Sequence, residues 1–246
     1  MRLDQAIVER GLCDSREKAQ RAVLAGQVRV NGQPADKPGR KVSPDDTIQL
    51  AAPERYVSRG GFKLEHALAA FRLDVRGWRT LDVGASTGGF TDCLLQHGAA
   101  SVAAVDVGRG QLAWKLRQDP RVHVLEGLNA RQLAPRHFPA PFVPFDLAAL
   151  DCSFISLRLV LPPVSALVRP GGRIVALVKP QFEAGRDEAS RGRGVISDPA
   201  IHRRVLDELR AFVAAQDALQ WLGETESPLL GPAGNKEFLT LLERQH

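Results

Sequence analysis

Cysteine is scarce in this chain: Cys13, Cys93 and Cys152 are an odd, widely spaced set with no CxxC. That excludes a disulfide framework and a zinc knuckle, and a reducing compartment is expected. Long apolar runs are missing as well. The longest, such as residues 174–178, are strand-sized, and the opening MRLDQAIVERG carries acids where a signal peptide needs an apolar core. Neither secretion nor membrane spanning is expected, and a cytoplasmic location is. The six histidines (66, 97, 123, 137, 202, 246) lack metal-ligand spacing, so no metal is expected. Ser86 sits in a glycine-rich loop but not in G-x-S-x-G, which argues against a serine hydrolase. Internal repeats and low-complexity tracts are also lacking.

What is present is an ordinary globular composition. The 246 residues are 44% hydrophobic and 25% charged, enough for one mid-sized domain and a small one. The formal charge of +5 permits polyanion binding without requiring it. Its distribution is more telling: residues 1–41 hold nine Arg or Lys against five acids, so the N-terminal end is the better polyanion contact.

Leu3, Ala6, Ile7 and then Ala19, Ala22, Val23 recur at helical spacing, with Asp14 or Ser15 as N-cap and Gly26 as the stop of the second helix. Asn31-Gly32 after Val28–Val30 signals a type I′ hairpin, and residues 47–50 follow a second turn. The opening reads α-α-β-β-β. An aperiodic, proline-containing stretch over 51–57 marks a domain boundary. We therefore expect a small domain at 1–54, a linker at 55–58 and a larger domain at 59–246. A helix is predicted over 61–71, then short apolar strands at 80–83, 102–105, 122–125, 145–150 and 174–178 alternating with helix-compatible segments. Such runs call for a parallel sheet covered on both faces. After a helix near 200–215, segments at 219–225 and 237–242 are placed to close the sheet as an antiparallel hairpin.

Residues 81–90, Leu-Asp-Val-Gly-Ala-Ser-Thr-Gly-Gly-Phe, join a strand end, a glycine-rich turn and a helix start. A Cβ at Gly84 or Gly88 would obstruct a ligand approaching the backbone. The spacing G-x-x-x-G-G is not the dinucleotide G-x-G-x-x-G, which argues against NAD and leaves a smaller adenosine ligand open. Asp106, at the end of the next strand, is placed to accept both ribose hydroxyls, and Asp82 to meet a cationic amino group. Asn129 after the third strand either reaches an adenine or caps a helix.

Lys63, Asp151, Lys179 and Glu237 fall at element ends that a doubly wound sheet brings together. Lys179 is either snorkelling to solvent or held where burial and a second cation, Lys63, favour its neutral form as a base. Asp151 and Glu237 would then orient the lysines. On position alone, each residue by itself is better read as a solvated strand-end charge. The segment 180–194, with three arginines including Arg186, is either a substrate-gripping lid or a solvated loop.

Six stretches in order carry a family resemblance: Arg55-Tyr-Val-Ser-Arg-Gly-Gly-Phe-Lys-Leu64, residues 82–92, Val105-Asp-Val-Gly-Arg-Gly-Gln-Leu112, Asp151-Cys-Ser-Phe-Ile-Ser-Leu157, residues 177–186, and Ser227-Pro through Gly234-Asn-Lys-Glu237. From Arg2 to nearly the last residue the chain resembles the TlyA family, bacterial proteins called hemolysins and rRNA methyltransferases, whose catalytic domain is similar to FtsJ-type ribose methyltransferases. The resemblance implies a Rossmann-like α/β sheet, mostly parallel with an antiparallel C-terminal strand, behind a small α+β RNA-binding domain like that of a ribosomal small-subunit protein. It implies a catalytic tetrad at Lys63, Asp151, Lys179 and Glu237. For S-adenosylmethionine it implies Gly84, Ala85, Ser86, Thr87, Gly88, Gly89, Phe90 and Asp106, and Asp82, Asn129 and Asp151 are expected to join them. Arg16, Lys18, Arg21 and Arg29, with Arg59 and Arg186, are expected to meet RNA. The implied reaction is 2′-O-methylation of cytidine in the rRNA of ribosomal subunits by a monomer. A non-catalytic ribosome-assembly factor and a membrane-active hemolysin are the alternatives. One departure stands in the linker, where the family often has tryptophan and this chain has Tyr56.

Overall fold

The computed structural model describes residues 1–50, 55–185, 188 and 194–246, in two compact units, Met1–Arg55 and Tyr56–His246. In the smaller unit, α1 (Leu3–Glu9) and α2 (Arg16–Leu24) precede β1 (Val28–Val30), β2 (Gln33–Pro34) and β3 (Ile48–Leu50). The three strands form an antiparallel sheet in the order β2-β1-β3. Ser15 is the cap of α2, its hydroxyl accepting from the Lys18 N–H at 3.3 Å. Asn31 and Gly32 both take positive φ, 52° and 77°, as the right-handed twist of a two-residue hairpin requires. Leu3, Ile7, Val23, Val28 and Val30 bury the apolar faces in a core of their own.

The larger unit starts with α3 (Gly60–Ala70) and continues through β4 (Arg79–Val83), α4 (Gly89–Gln96), β5 (Ser101–Asp106), α5 (Trp114–Arg117) and β6 (Val122–Glu126). Then come β7 (Phe145–Leu150), α6 (Leu157–Ser165), β8 (Val168–Val178), α7 (Pro180–Glu183), α8 (Pro199–Ala214), β9 (Leu219–Glu226) and β10 (Phe238–Arg244). Its seven-stranded sheet has the order β6-β5-β4-β7-β8-β10-β9. Strands β4 to β8 pair in parallel, and β10 lies antiparallel between β8 and β9. Two apolar cores cover the two faces, one rich in α6 and α8 side chains, the other in α3 and α4. That double cover is why the central strands read as unbroken apolar runs. Strand β8 is longer than the predicted 174–178. It begins at Val168 because Pro170-Gly171-Gly172, which reads as a turn, sits within the strand beside a register shift against β7.

Of the expected linker at 55–58, residues 56–58 fall within the larger unit. Tyr56 is 1% exposed, packs edge-on against Phe62 at 5.2 Å, and belongs to the larger unit. A Cβ at Gly61 would sit 2.2 Å from the Tyr56 ring, so glycine there makes room for the aromatic. Val57 donates its N–H to Asp92 of α4 at 2.9 Å. Among the described residues no helix is long and apolar enough to cross a membrane.

Candidate active site

Strand order reverses between β4 and β7, and in open α/β sheets a crevice forms there at the carboxyl ends. Two cavities open at that edge. The larger, about 860 Å³, is walled by Gly84, Ser86, Asp106, Val107, Leu128, Asn129, Arg131, Asp151 and the run Cys152–Ser156. The smaller, about 210 Å³, is walled by Ser58, Arg59, Gly60, Lys63, the loop Gly84–Thr87, Gly89, Phe90 and Asp151. Gly84, Ser86 and Asp151 face both, so the two lobes share a waist.

The waist is built by the turn after β4. Asp106 at the end of β5 accepts from the N–H of Ser86 and of Gly108, both at 2.7 Å, one on each carboxylate oxygen. Those bonds hold Ser86 at φ 48°, a left-handed conformation costly for a residue with a Cβ. Each Asp106 oxygen keeps a second lone pair for a ligand hydroxyl. Asn129 lines the larger cavity and also caps the short turn Ala130–Gln132, accepting from the Arg131 N–H at 3.0 Å, so both of its sequence readings hold in part.

Three features of this loop go beyond the sequence expectation. Packing within the protein already requires the glycines. A Cβ at Gly84 would lie 2.6 Å from the Asp151 carbonyl, and one at Gly88 would lie 2.2 Å from Leu116. Gly88 is buried and lines neither cavity, since it packs under Leu112 and Leu116. Asp82 lines neither cavity either. It is fully buried on the inner side of β4, where Thr91 donates to it at 2.6 Å and its other oxygen has no partner. Burial, with Asp151 adding to it, pushes its carboxyl up from 3.8 to about 7 against the lowering effect of the Thr91 bond.

The Asp82 shift sets a stability prediction. A carboxyl whose folded pKa is raised contributes its full stability below the unfolded pKa and loses it as pH climbs through the folded value. Asp82→Asn should therefore match wild type near pH 4 and exceed it by on the order of 4 kcal/mol at pH 8, since Asn still accepts from Thr91. Urea unfolding at both pH values tests this, and a gap that does not change with pH would refute it.

The four tetrad residues form two pairs. Lys63 on α3 meets Glu237 at 2.5 Å, with the lysine 8% and the acid 1% exposed. Lys179, at the end of β8, lies 2.6 Å from Asp151 and donates to the Ser153 hydroxyl at 2.7 Å. Lys63 and Asp151 line the cavities directly. Lys179 and Glu237 stand one contact behind them. The sequence expectation had Lys63 serving as a cation for Lys179; instead each lysine takes its own carboxylate.

Phe154 was not singled out from the sequence. It is 90% exposed at the lip of the larger cavity, with φ 63°, and its ring lies 5.0 Å from that of Phe182. Glu183 holds this lip down, accepting from Ser156 at 2.6 Å and the Leu157 N–H at 2.7 Å, and burial pushes its carboxyl up. A large exposed aromatic on strained backbone suits stacking on a planar ligand. Its sequence signal is its place in the stretch Asp151–Leu157 that carries the family resemblance.

Of the expected RNA contacts, Arg59 is exposed at the wall of the smaller cavity. Arg16 donates to the buried Asp4 at 2.9 Å, a carboxylate that the Arg2 guanidinium holds well below the usual range. Lys18 pairs with Asp14 and Arg21 with Glu17 along the exposed face of α2, and Arg29 donates to the Gly32 carbonyl. Exposed pairs of this kind are worth little and exchange readily for a phosphate. Arg186 lies outside the described residues. Among the described residues no His, Cys, Asp and Glu cluster suits a metal.

Residues 56–244 match the FtsJ-like methyltransferase family and residues 1–48 the S4 domain. YqxC of Bacillus subtilis is 50% identical over 97% of this chain and 84% of its own length. The 16S/23S rRNA (cytidine-2′-O)-methyltransferase TlyA of Mycobacterium tuberculosis is 46% identical over 99% of this chain and 90% of its own. A solved structure from Streptococcus thermophilus, described as a hemolysin, superposes with a TM-score of 0.75 at 46% identity, covering all of this chain and 88% of that one. With both domains matched in order and relatives of this similarity along nearly the whole length, the chain belongs to the TlyA family, an S4 domain joined to an FtsJ-like methyltransferase domain.

Proposed function

We propose that this chain transfers a methyl group from S-adenosylmethionine to the ribose 2′-hydroxyl of a cytidine in ribosomal RNA, acting on ribosomal subunits in the cytoplasm. The observation that carries the reading is the pair of lysine–carboxylate contacts beside a two-lobed cleft. The larger lobe, with Asp106 at one wall and Val107 and Leu128 at another, suits a nucleoside. The smaller, with Arg59 on one side and Asp151 on the other, suits a zwitterionic amino-acid end. When bound, S-adenosylmethionine supplies a methyl group on a positively charged sulfur.

Lys179, in its neutral amine form, is the final acceptor at Nζ of the attacking hydroxyl's proton, which reaches it past Asp151 and Ser153 at the cavity wall. Lys63, held by Glu237, keeps the opposite wall cationic and draws the phosphate backbone toward the cleft. The S4 unit grips folded RNA through Arg16, Lys18, Arg21 and Arg29, with Arg59 and Arg186 as further RNA contacts. Grip and chemistry share one chain, so a monomer suffices.

The test is incubation of purified protein and S-adenosylmethionine with ribosomal subunits lacking the modification, followed by mapping of ribose methylation. Methyl on a cytidine 2′-oxygen is expected; methylation confined to a base, or none, would refute the reading.

A further inference from the structure

The turn leading into β10 is tied to the segment that follows Lys179 by one buried amide. Asn235 is 1% exposed. Its Oδ1 accepts from the Ile196 N–H and its Nδ2 donates to the Gly194 carbonyl, both at 2.8 Å. Bonding one N–H and one carbonyl two residues apart is what a residue of a parallel neighbouring strand would do. His202 of α8 closes the other side: Nε2 lies 2.9 Å from the Ile196 carbonyl, and the ring packs 5.6 Å from Phe238. Residue 196 is thus held from both directions, by Asn235 on one side and by His202, which packs on Phe238, on the other.

The Asn235 main chain continues the path. Its carbonyl accepts from the Gly231 N–H at 2.8 Å, closing a turn in which Gly234 takes φ 90°. Gly231 lies against the carboxylate of Glu237, where a Cβ would approach Oε1 to 2.6 Å. Glu237 then meets Lys63 at 2.5 Å, and Lys63 lines the smaller cavity. A buried amide is costly unless its bonds are made, and here both are; an apolar residue in its place would strand the Ile196 N–H and the Gly194 carbonyl and release the two segments from each other.

We propose that Asn235 is a positioning residue for the reaction: by joining residues 194–196 to the turn 231–235 it sets the height of Glu237 and, through it, the Lys63 amine at the cavity wall. This rests on the methyl-transfer reading above.

Asn235→Asp provides a test with its own signature. Above its pKa the new carboxylate keeps the bond from Ile196 but turns an acceptor toward the Gly194 carbonyl. On protonation the carboxyl donates to that carbonyl and restores the wild-type pattern, and burial places this event above the usual carboxylate range. The charged or titratable groups around it are His202 on α8, Glu237 with its partner Lys63 on α3, and Lys236, which is paired with Glu226 of β9. Expressing each rate as a ratio to wild type at the same pH removes their own titrations.

With S-adenosylmethionine and ribosomal subunits, Asn235→Asp is expected to lower kcat about 10- to 100-fold at pH 8, the range of a displacement near 1 Å. Calorimetric cofactor affinity should fall much less than kcat, and the ratio should recover toward pH 6. Asn235→Ser, which cannot regain the donor in this way, should lose kcat with a ratio that stays flat with pH.

A flat ratio for Asn235→Asp, or cofactor affinity falling in step with kcat in both variants, overturns the role. Should the carboxylate prevent folding, Asn235→Ser decides through kcat alone, and a wild-type kcat overturns it. Wild type run alongside keeps the two claims apart. If wild type methylates no ribose the functional reading fails, whereas full activity of Asn235→Asp at pH 8 beside active wild type defeats only the part assigned to Asn235.

Discussion

Replacing Lys179 by alanine is expected to reduce methyl transfer to ribosomal RNA by about a thousandfold, the middle of the range for loss of a positioned general base. The amine is 8% exposed and held between Asp151 at 2.6 Å and Ser153 at 2.7 Å, so it has one location and two fixed contacts. Because Lys179 lines neither cavity, cofactor affinity measured by calorimetry should change little. Lys179→Arg is the sharper variant. It preserves the positive charge and the ion pair with Asp151, yet a guanidinium does not release its proton in a protein. If charge alone mattered, arginine would rescue; if the residue accepts a proton, it would not. Activity of Lys179→Arg within a few-fold of wild type would therefore remove Lys179 from the base role and leave it an electrostatic one.

Breaking the other pair should show first in stability. Lys63 and Glu237 are both buried, and removing one partner of a buried pair leaves an uncompensated charge, typically a cost of about 3–5 kcal/mol. Glu237→Ala should lose stability on that scale in denaturant unfolding. Lys63→Met combined with Glu237→Gln should recover most of it, since a matched uncharged pair no longer strands an ion in the core. Activity should not return with stability, because the cavity wall would then lack its cation. A double variant that regains both would show that the pair serves the fold alone.

How much of this was legible beforehand differs from element to element. The five parallel strands were readable because their residues alternate with helical segments and are apolar throughout, a local consequence of burial on both faces. The type I′ hairpin at Asn31-Gly32 was readable because only a few residue types take two successive positive φ angles. Strand β8 was read too short because Pro170-Gly171-Gly172 carries turn chemistry that the sheet overrides.

The site was legible as a set of residues and not as an arrangement. Spacing along the chain put Asp82 at a strand end beside the glycine loop, but the strand's alternation turns its carboxylate inward to Thr91. Nothing in the sequence signals that Gly84 and Gly88 also clear the Asp151 backbone and Leu116, which come from other elements. Phe154 gave no periodic or compositional signal. Its exposure follows from a backbone twist at φ 63° that the Ser156–Glu183 contact accompanies.

Composition, periodicity and the glycine loop, together with the family resemblance, determined by themselves the class of the fold and the two-domain order, and named Lys63, Asp151, Lys179 and Glu237 as candidates. Which lysine meets which carboxylate was decided only by tertiary structure, because Lys63 and Glu237 are 174 positions apart and are joined by β10 entering the sheet antiparallel beside β8. Local sequence governs φ, ψ and the burial of a face, since those depend on near neighbours. Charge pairing across a sheet depends on strand order and register, which are properties of the whole packed domain.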